Sequence, residues 1–300
     1  MVTASAGRVL AALLCALPAL RAADFPIDHV TVAGSNLAAM RDAFTAATGI
    51  ATEYGGRHTN HATEMAVVSF PDGSYLELMA TVPNADPAAV AAHEWSRFLT
   101  GNAGPCGFAL RAPNLAAEAA TLKSRGILTS AVQPGGRVRA DGVRLAWQIV
   151  NVGPPPRGSL FPFLIADDTP RANRVYPTGK PTTERFRGIA KVVVGVKDLE
   201  TAIAQYRTAF ALPEPRRQTD AHFGARLAWF EHTPFVLAAA TGDDSWLARR
   251  VREYGDAPCA IVLASETELT GAIASNWFGQ AVVWMDPPRL GWHLGAIASR

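Results

Sequence analysis

Two side chains interrupt apolar strand-like runs near the start of this chain. Ile27-Asp28-His29-Val30-Thr31-Val32 carries one histidine, and Tyr75-Leu76-Glu77-Leu78-Met79-Ala80 carries one glutamate. An imidazole and a carboxylate on otherwise apolar strands are the donors a small divalent-metal site uses. Between them lie a helical pattern from Asn36 to Thr48 and strand-like runs around Gly55-Gly56 and Met65-Ala66-Val67-Val68. The stretch from Phe25 to Ala80 therefore reads βαβββ.

The same order recurs. Pro105-Cys106-Gly107-Phe108-Ala109-Leu110 opens a second unit, followed by an amphipathic helix from Asn114 to Arg125. Its hairpin overlays the first without a gap, Gly135-Gly136-Arg137-Val138 falling on Gly55-Gly56-Arg57-His58, and Phe161-Pro162-Phe163-Leu164-Ile165 closes it. A stretch rich in Pro, Thr and Arg (169–185) reads as a linker. The third unit starts at Ile189-Ala190-Lys191-Val192 with a helix from Asp198 to Phe210. The fourth starts at Ala257-Pro258-Cys259-Ala260 and ends early. The fold class expected is α+β, with about four βαβββ units, the last truncated, paired into curved mixed sheets that enclose a concave cleft. Two halves follow, residues 25–168 and 186–300.

Composition narrows the partners. Hydrophobic residues make up 49% and charged residues 18%, which suits a globular chain. Arg8, the apolar run Val9 to Leu20 and the small residues after it form the three parts of a signal peptide over residues 1–22, so a secreted or periplasmic protein is expected. Without Arg8 and Arg21 the 28 basic residues fall to 26, equal to the 26 acidic ones. No basic face stands out, so nucleic acid is excluded as a partner, and once the signal is removed no membrane segment remains. Cys106 and Cys259 lie in apolar runs at matching places of the repeat and read as two separate buried thiols.

The residues now quoted, together with Arg139-Ala140-Asp141-Gly142-Val143-Arg144-Leu145-Ala146-Trp147, resemble the vicinal oxygen chelate superfamily and its glyoxalase-like group. The resemblance implies that the first strand of a unit supplies a histidine ligand and the last strand a glutamate, here His29 and Glu77. It also implies a divalent ion (Mn, Fe, Ni or Zn) that chelates vicinal oxygens of a small-molecule ligand. The partner unit departs from this pattern, with Gly107 and Phe163 at the corresponding places, and the third unit has Lys191 and Leu237. A triad of two histidines and one carboxylate then needs another donor. His61, at the entrance of the third strand, is the first choice and His58, in the turn before it, the second. His93, His222, His232 and His293 read as surface residues.

Glu64, Arg144 and Arg226 occupy one place in three hairpins. Glu64 could shuttle a proton beside Glu77, Arg144 could clamp a carboxylate or enediolate, and Trp147 could wall the pocket. The expected protein is an exported enzyme of this type, a metal-dependent lyase or isomerase ahead of a dioxygenase-like enzyme, acting on a small oxygen-rich or aromatic substrate. The alternative is a non-catalytic binding protein of the same fold. No phosphate-binding Gly-rich loop, G-x-S-x-G elbow, His-Glu-x-x-His or Cys-x-x-Cys is present.

Overall fold

The computed structural model describes residues 25–139, 141–155, 160–266, 269, 275–285 and 287–298. The signal-peptide stretch lies outside the described residues. The first unit comprises β1 (Ile27–Gly34), α1 (Leu37–Thr48), β2 (Glu53–His58), β3 (Thr63–Ser69) and β4 (Tyr75–Thr81). A short helix α2 (Pro87–Ala91) and a 3₁₀ turn (Ser96–Phe98) precede the second unit. That unit comprises β5 (Gly104–Arg111), α3 (Leu115–Ser124), β6 (Gln133–Val138), β7 (Arg144–Val150) and β8 (Phe163–Asp167).

These eight strands close into a barrel in the order β1-β4-β3-β2-β6-β7-β8-β5. β1 runs parallel to β4 and antiparallel to β5, and the units meet again where β2 pairs β6 antiparallel through Arg57↔Val138 and His58↔Arg137. Alternation sorts the side chains. Val30, Val32, Leu76 and Leu78 point outward into the core beneath α1, which contributes Leu37 and Phe44. His29, Thr31, Tyr75, Glu77 and Met79 point inward.

α1 begins where the Asn36 side chain accepts from the Ala39 amide at 3.0 Å, and it ends at Gly49, whose φ of 73° lets its amide close on the Thr45 carbonyl. Asn114 and Asp198 cap the equivalent helices in the same way.

After β8 comes α4 (Arg171–Val175), within the stretch read as a linker. The second half comprises β9 (Phe186–Gly195), α5 (Leu199–Phe210), β10 (Arg216–Asp220), β11 (Ala225–Trp229), β12 (Phe235–Ala240), α6 (Trp246–Tyr254), β13 (Ala257–Ser265), β14 (Ser275–Trp277), β15 (Gln280–Trp284), α7 (Pro287–Leu290) and β16 (His293–Ala298). The fourth unit thus keeps four strands, although β14 has only three residues. The sheet order is β10-β11-β12-β9-β13-β16-β15-β14. Side chains span its open side: Gln218 accepts from the Phe278 amide at 2.7 Å and Asp220 from the Trp277 indole at 2.6 Å.

The hollow of this second sheet is filled by Phe223, Trp277, Val262, Leu227 and their neighbours. Lys191 is buried there with its Nζ 3.8 Å over the Trp229 ring, and Leu237 packs outward under α5. Cys106 and Cys259 are buried thiols and form no disulfide. Among the described residues no helix is long and apolar enough to cross a membrane.

Candidate functional site

Inside the first barrel lies a cavity of about 280 Å³, small for a ligand site but within reach of the usual range. One end is polar. Glu77 on β4 sits beside Thr31 of β1, in register with it, and accepts the Thr31 hydroxyl on Oε2 at 2.7 Å. His29 Nε2 lies 3.7 Å from the same oxygen, and His58 Nε2 lies 3.2 Å from Oε1.

Each imidazole is held from behind. His29 Nδ1 is 2.6 Å from Asp28 Oδ1, and His58 Nδ1 is 2.8 Å from the Thr63 hydroxyl. The nitrogen left facing the cavity is therefore Nε2 in both rings. Burial alone would raise the Glu77 pKa, but the hydrogen bond from His58, the charges of His29 and His58 and the Thr31 hydroxyl outweigh it, holding the carboxyl down at about 2. Glu77 is an anion at neutral pH.

Asp28 is fully buried and is answered from outside the two units. Arg174 of α4 sends Nη1 to Asp28 Oδ1 at 2.9 Å, Nη2 to Asp28 Oδ2 at 3.0 Å and Nη1 to the Tyr75 hydroxyl at 2.7 Å. The same guanidinium binds Asp167, with Nη2 at 2.8 Å from Oδ2, and Arg171 also donates to Asp28. Desolvation opposes ionisation of Asp28, yet the Arg174 charge and the His29 contact hold its pKa well below the ordinary carboxylate value. The stretch read as a linker thus supplies the counter-ion that keeps Asp28 charged and His29 oriented.

The rest of the cavity is aromatic, and the second unit provides most of it. Phe163 meets His29 edge-on at 5.4 Å between centroids, and Trp147 lies across the Arg174 guanidinium. Gly107 is small because Trp95 lies against it: a Cβ there would come within 2.9 Å of the indole. The two positions where the partner unit lacks ligands have become wall and packing space.

Of the residues singled out in the sequence, His29, His58, Glu77 and Trp147 meet in this cavity. His61 does not. It sits exposed in the β2–β3 turn at φ 58°, outside the barrel wall. Glu64 belongs to the opposite face of β3 from the cavity-lining Met65, where it accepts the Tyr54 hydroxyl at 2.9 Å and faces Arg57. Arg144 is exposed on the outer surface beside Val138.

His58, read as a loop residue, takes the place expected of His61 because it ends β2 and points inward. The signal available was its position at the close of an alternating run. Arg137 was not singled out at all. The bulge between Tyr54 and Gly56 breaks the gap-free overlay of the two hairpins, so Arg57 faces solvent while Arg137 faces inward. His93 also lines the cavity, and His293 stacks on Trp246 at 4.1 Å rather than lying on the surface.

Trp147 is seated by a glycine. A Cβ on Gly135 would stand 2.2 Å from the Trp147 indole nitrogen. Gly135→Ala is expected to displace that ring, to shift tryptophan emission and to cost about 1–3 kcal/mol of stability in urea unfolding, as overpacking does. Unchanged emission would mean the ring has room to move.

Among the described residues no group of three His, Cys, Asp or Glu side chains is arranged around a common point as a metal cluster. Two imidazole nitrogens and one ionised carboxylate are nevertheless a donor set that suits a divalent transition metal, and a buried partner behind each ring is the usual support of such ligands.

The model of a glyoxalase-like domain matches residues 27–210. The chain is a member of the glyoxalase-like family, within the vicinal oxygen chelate superfamily. No curated protein matches it significantly. A hypothetical protein from Staphylococcus aureus shares the fold at a TM-score of 0.63 and 13% identity, over 92% of this chain and all of the other. A mutant 4-hydroxymandelate synthase from Streptomyces coelicolor does so at 0.58 and 13% identity, over 91% of this chain and 92% of the other. Methylmalonyl-CoA epimerase from Mycobacterium tuberculosis matches 39% of this chain and 91% of its own at a TM-score of 0.34 and 15% identity.

Proposed function

We propose that the first barrel is the active site of an enzyme that moves a proton on, or cleaves a bond of, a small oxygen-rich or aromatic molecule with the help of a divalent metal. The observation that carries this reading is the convergence of His29, His58 and Glu77 on one end of a small aromatic-walled cavity. His29, His58 and Glu77 would hold the ion, with His58 in the role expected of His61. A bound ion supplies Lewis-acid stabilisation of an oxyanion.

The chain's own residues do the rest. Asp28 fixes the His29 ring so that Nε2 faces the substrate. The Thr31 hydroxyl and His58 hold the Glu77 carboxylate ionised, so it presents an anionic oxygen to an ion at that end of the cavity. Trp95, Trp147 and Phe163 shield that end from water. The N-terminal signal pattern supports an exported enzyme, and terminal sequencing of secreted protein tests that point.

The main test is metal analysis followed by titration of chelator-treated protein with Mn, Fe, Ni or Zn. The expected result is one ion per chain with a raised Tm. Affinity should fall at least about tenfold in His29→Ala and His58→Ala and stay unchanged in His61→Ala. If no ion binds, and His29→Ala leaves Tm unchanged in added metal, the enzyme reading fails. The aromatic wall and the Thr31 and His58 contacts already made by Glu77 then favour the second reading, a small-molecule binding protein.

A further inference from the structure

A second cavity, of about 670 Å³, lies where the two halves of the chain meet and shares no lining residue with the cavity of the first barrel. α3 of the first half forms one wall, and the end of α5 with the loop after it forms the other. The Arg125 guanidinium spans them by donating to the Ala209 carbonyl at 2.7 Å. The floor is apolar. Leu110, Leu122, Leu164 and Phe210 are buried there, and Phe25 enters beside them with its ring 5.4 Å from Phe210 and 5.0 Å from Phe235. Such a volume is ordinary for a small-molecule site, and junctions between domains are where these sites collect.

Two features distinguish this cavity from a gap in packing. Ala211 and His232, at φ 52° and 61°, hold the left-handed conformation that usually falls to glycine, and both line it. Backbone strain of this kind gathers at ligand clamps. The second feature is the balance of charge around the lining. Arg111 has Asp28 and Asp72 as neighbouring opposite charges, and Glu231 pairs with Arg216 at 3.2 Å. Glu118 on α3 and Arg125 at its end supply one charge of each sign, and the remaining titratable group is the His232 imidazole. Among the described residues the carboxylates and guanidinium groups of the lining leave no excess of either sign.

We propose that this cavity is a second ligand site, and that its occupant is an uncharged, largely apolar small molecule with an aromatic body. An ion would leave water with no counter-ion reserved to meet it. A flat ring finds the Phe25 and Phe210 rings, which favour offset or edge-on partners. The site does not depend on the metal reading of the first barrel.

The test uses the full chain and two dyes that differ by one sulfonate, N-phenylnaphthylamine and anilinonaphthalene sulfonate, followed by dye emission and calorimetry. The neutral dye is expected to bind once per chain and at least about tenfold more tightly than the sulfonate. Thr121 is an exposed position of α3 in the lining, so Thr121→Trp is expected to fill the mouth and weaken the neutral dye at least about tenfold. Leu212→Glu, which puts an unpaired charge on the opposite wall, is expected to do the same. Gly135→Ala, which displaces Trp147 in the first barrel, leaves dye affinity unchanged. Urea unfolding checks that the variants are folded, and should Leu212→Glu not fold, Thr121→Trp decides.

Equal or tighter binding of the sulfonate overturns the proposal, as does absence of binding by the neutral dye up to its solubility limit. So do several dyes per chain, which mark adsorption to the surface, or binding that survives Thr121→Trp. Dye lost in Gly135→Ala and kept in Thr121→Trp sits in the first barrel and overturns the proposal too. Metal bound at the His29 end without dye would leave the enzyme reading standing and this site refuted. One dye per chain without metal would do the reverse.

Discussion

Arg174→Met lowers the free energy of unfolding by about 3–5 kcal/mol, the range for removing one partner of a buried ion pair. Asp28 has no exposed surface, and the Arg174 fork reaches both of its oxygens while also holding Asp167 and the Tyr75 hydroxyl. The variant leaves Asp28 with Arg171 and His29 only, which places the loss nearer the lower end of that range. Adding Asp28→Asn to Arg174→Met recovers much of it, because the stranded charge is gone. Urea unfolding of the two single variants and the double variant measures this directly. A loss under about 1 kcal/mol would mean the network is solvated, as surface pairs are. The same variant should weaken metal binding, since His29 depends on Asp28 for its orientation.

Acid destabilises the metal-free protein through Glu77. Its carboxyl sits at about 2 in the folded chain against an ordinary 4.5. A pKa lowered by folding contributes stability that is complete above the unfolded value and is lost as pH falls through the folded one. The window therefore runs from about pH 5 down to about pH 2, and the difference corresponds to roughly 3 kcal/mol at about 1.4 kcal/mol per unit. Asp28, also lowered, adds to the fall in the same direction. Glu77→Gln is expected to lower stability at neutral pH and to flatten the decline between those limits. Urea midpoints across a pH series supply the measurement, and an unchanged slope in the variant would show that Glu77 is hydrated rather than held by His58 and Thr31.

His29 and Glu77 were legible in the sequence because period-two alternation puts a polar side chain on an apolar strand in view. The repeat, the helix starts at Asn36, Asn114 and Asp198, and the departures at Gly107 and Phe163 were legible for the same local reasons. His61 ranked ahead of His58 in the sequence and the structure places His58 in the cavity instead, because only two residues separate them and the end of β2 decides which ring points inward. Glu64 and Arg144 lie outside the cavity by one step of alternation each, since a neighbour in a strand faces the other side of the wall.

The linker is the larger lesson. Pro, Thr and Arg without periodicity say nothing of where a chain packs, yet Arg171 and Arg174 fold back from it to neutralise Asp28, 146 residues away for Arg174. Likewise the bulge at Gly55 turned Arg57 outward while its counterpart Arg137 faces in. The sequence alone determined the class of unit, its repetition and the polar side chains His29 on β1 and Glu77 on β4, because alternation acts over a few residues. Only the tertiary structure decided which histidine joins them, the counter-ions and the buried Arg137, because strand register, barrel closure and long-range charge pairing join residues that no local pattern relates.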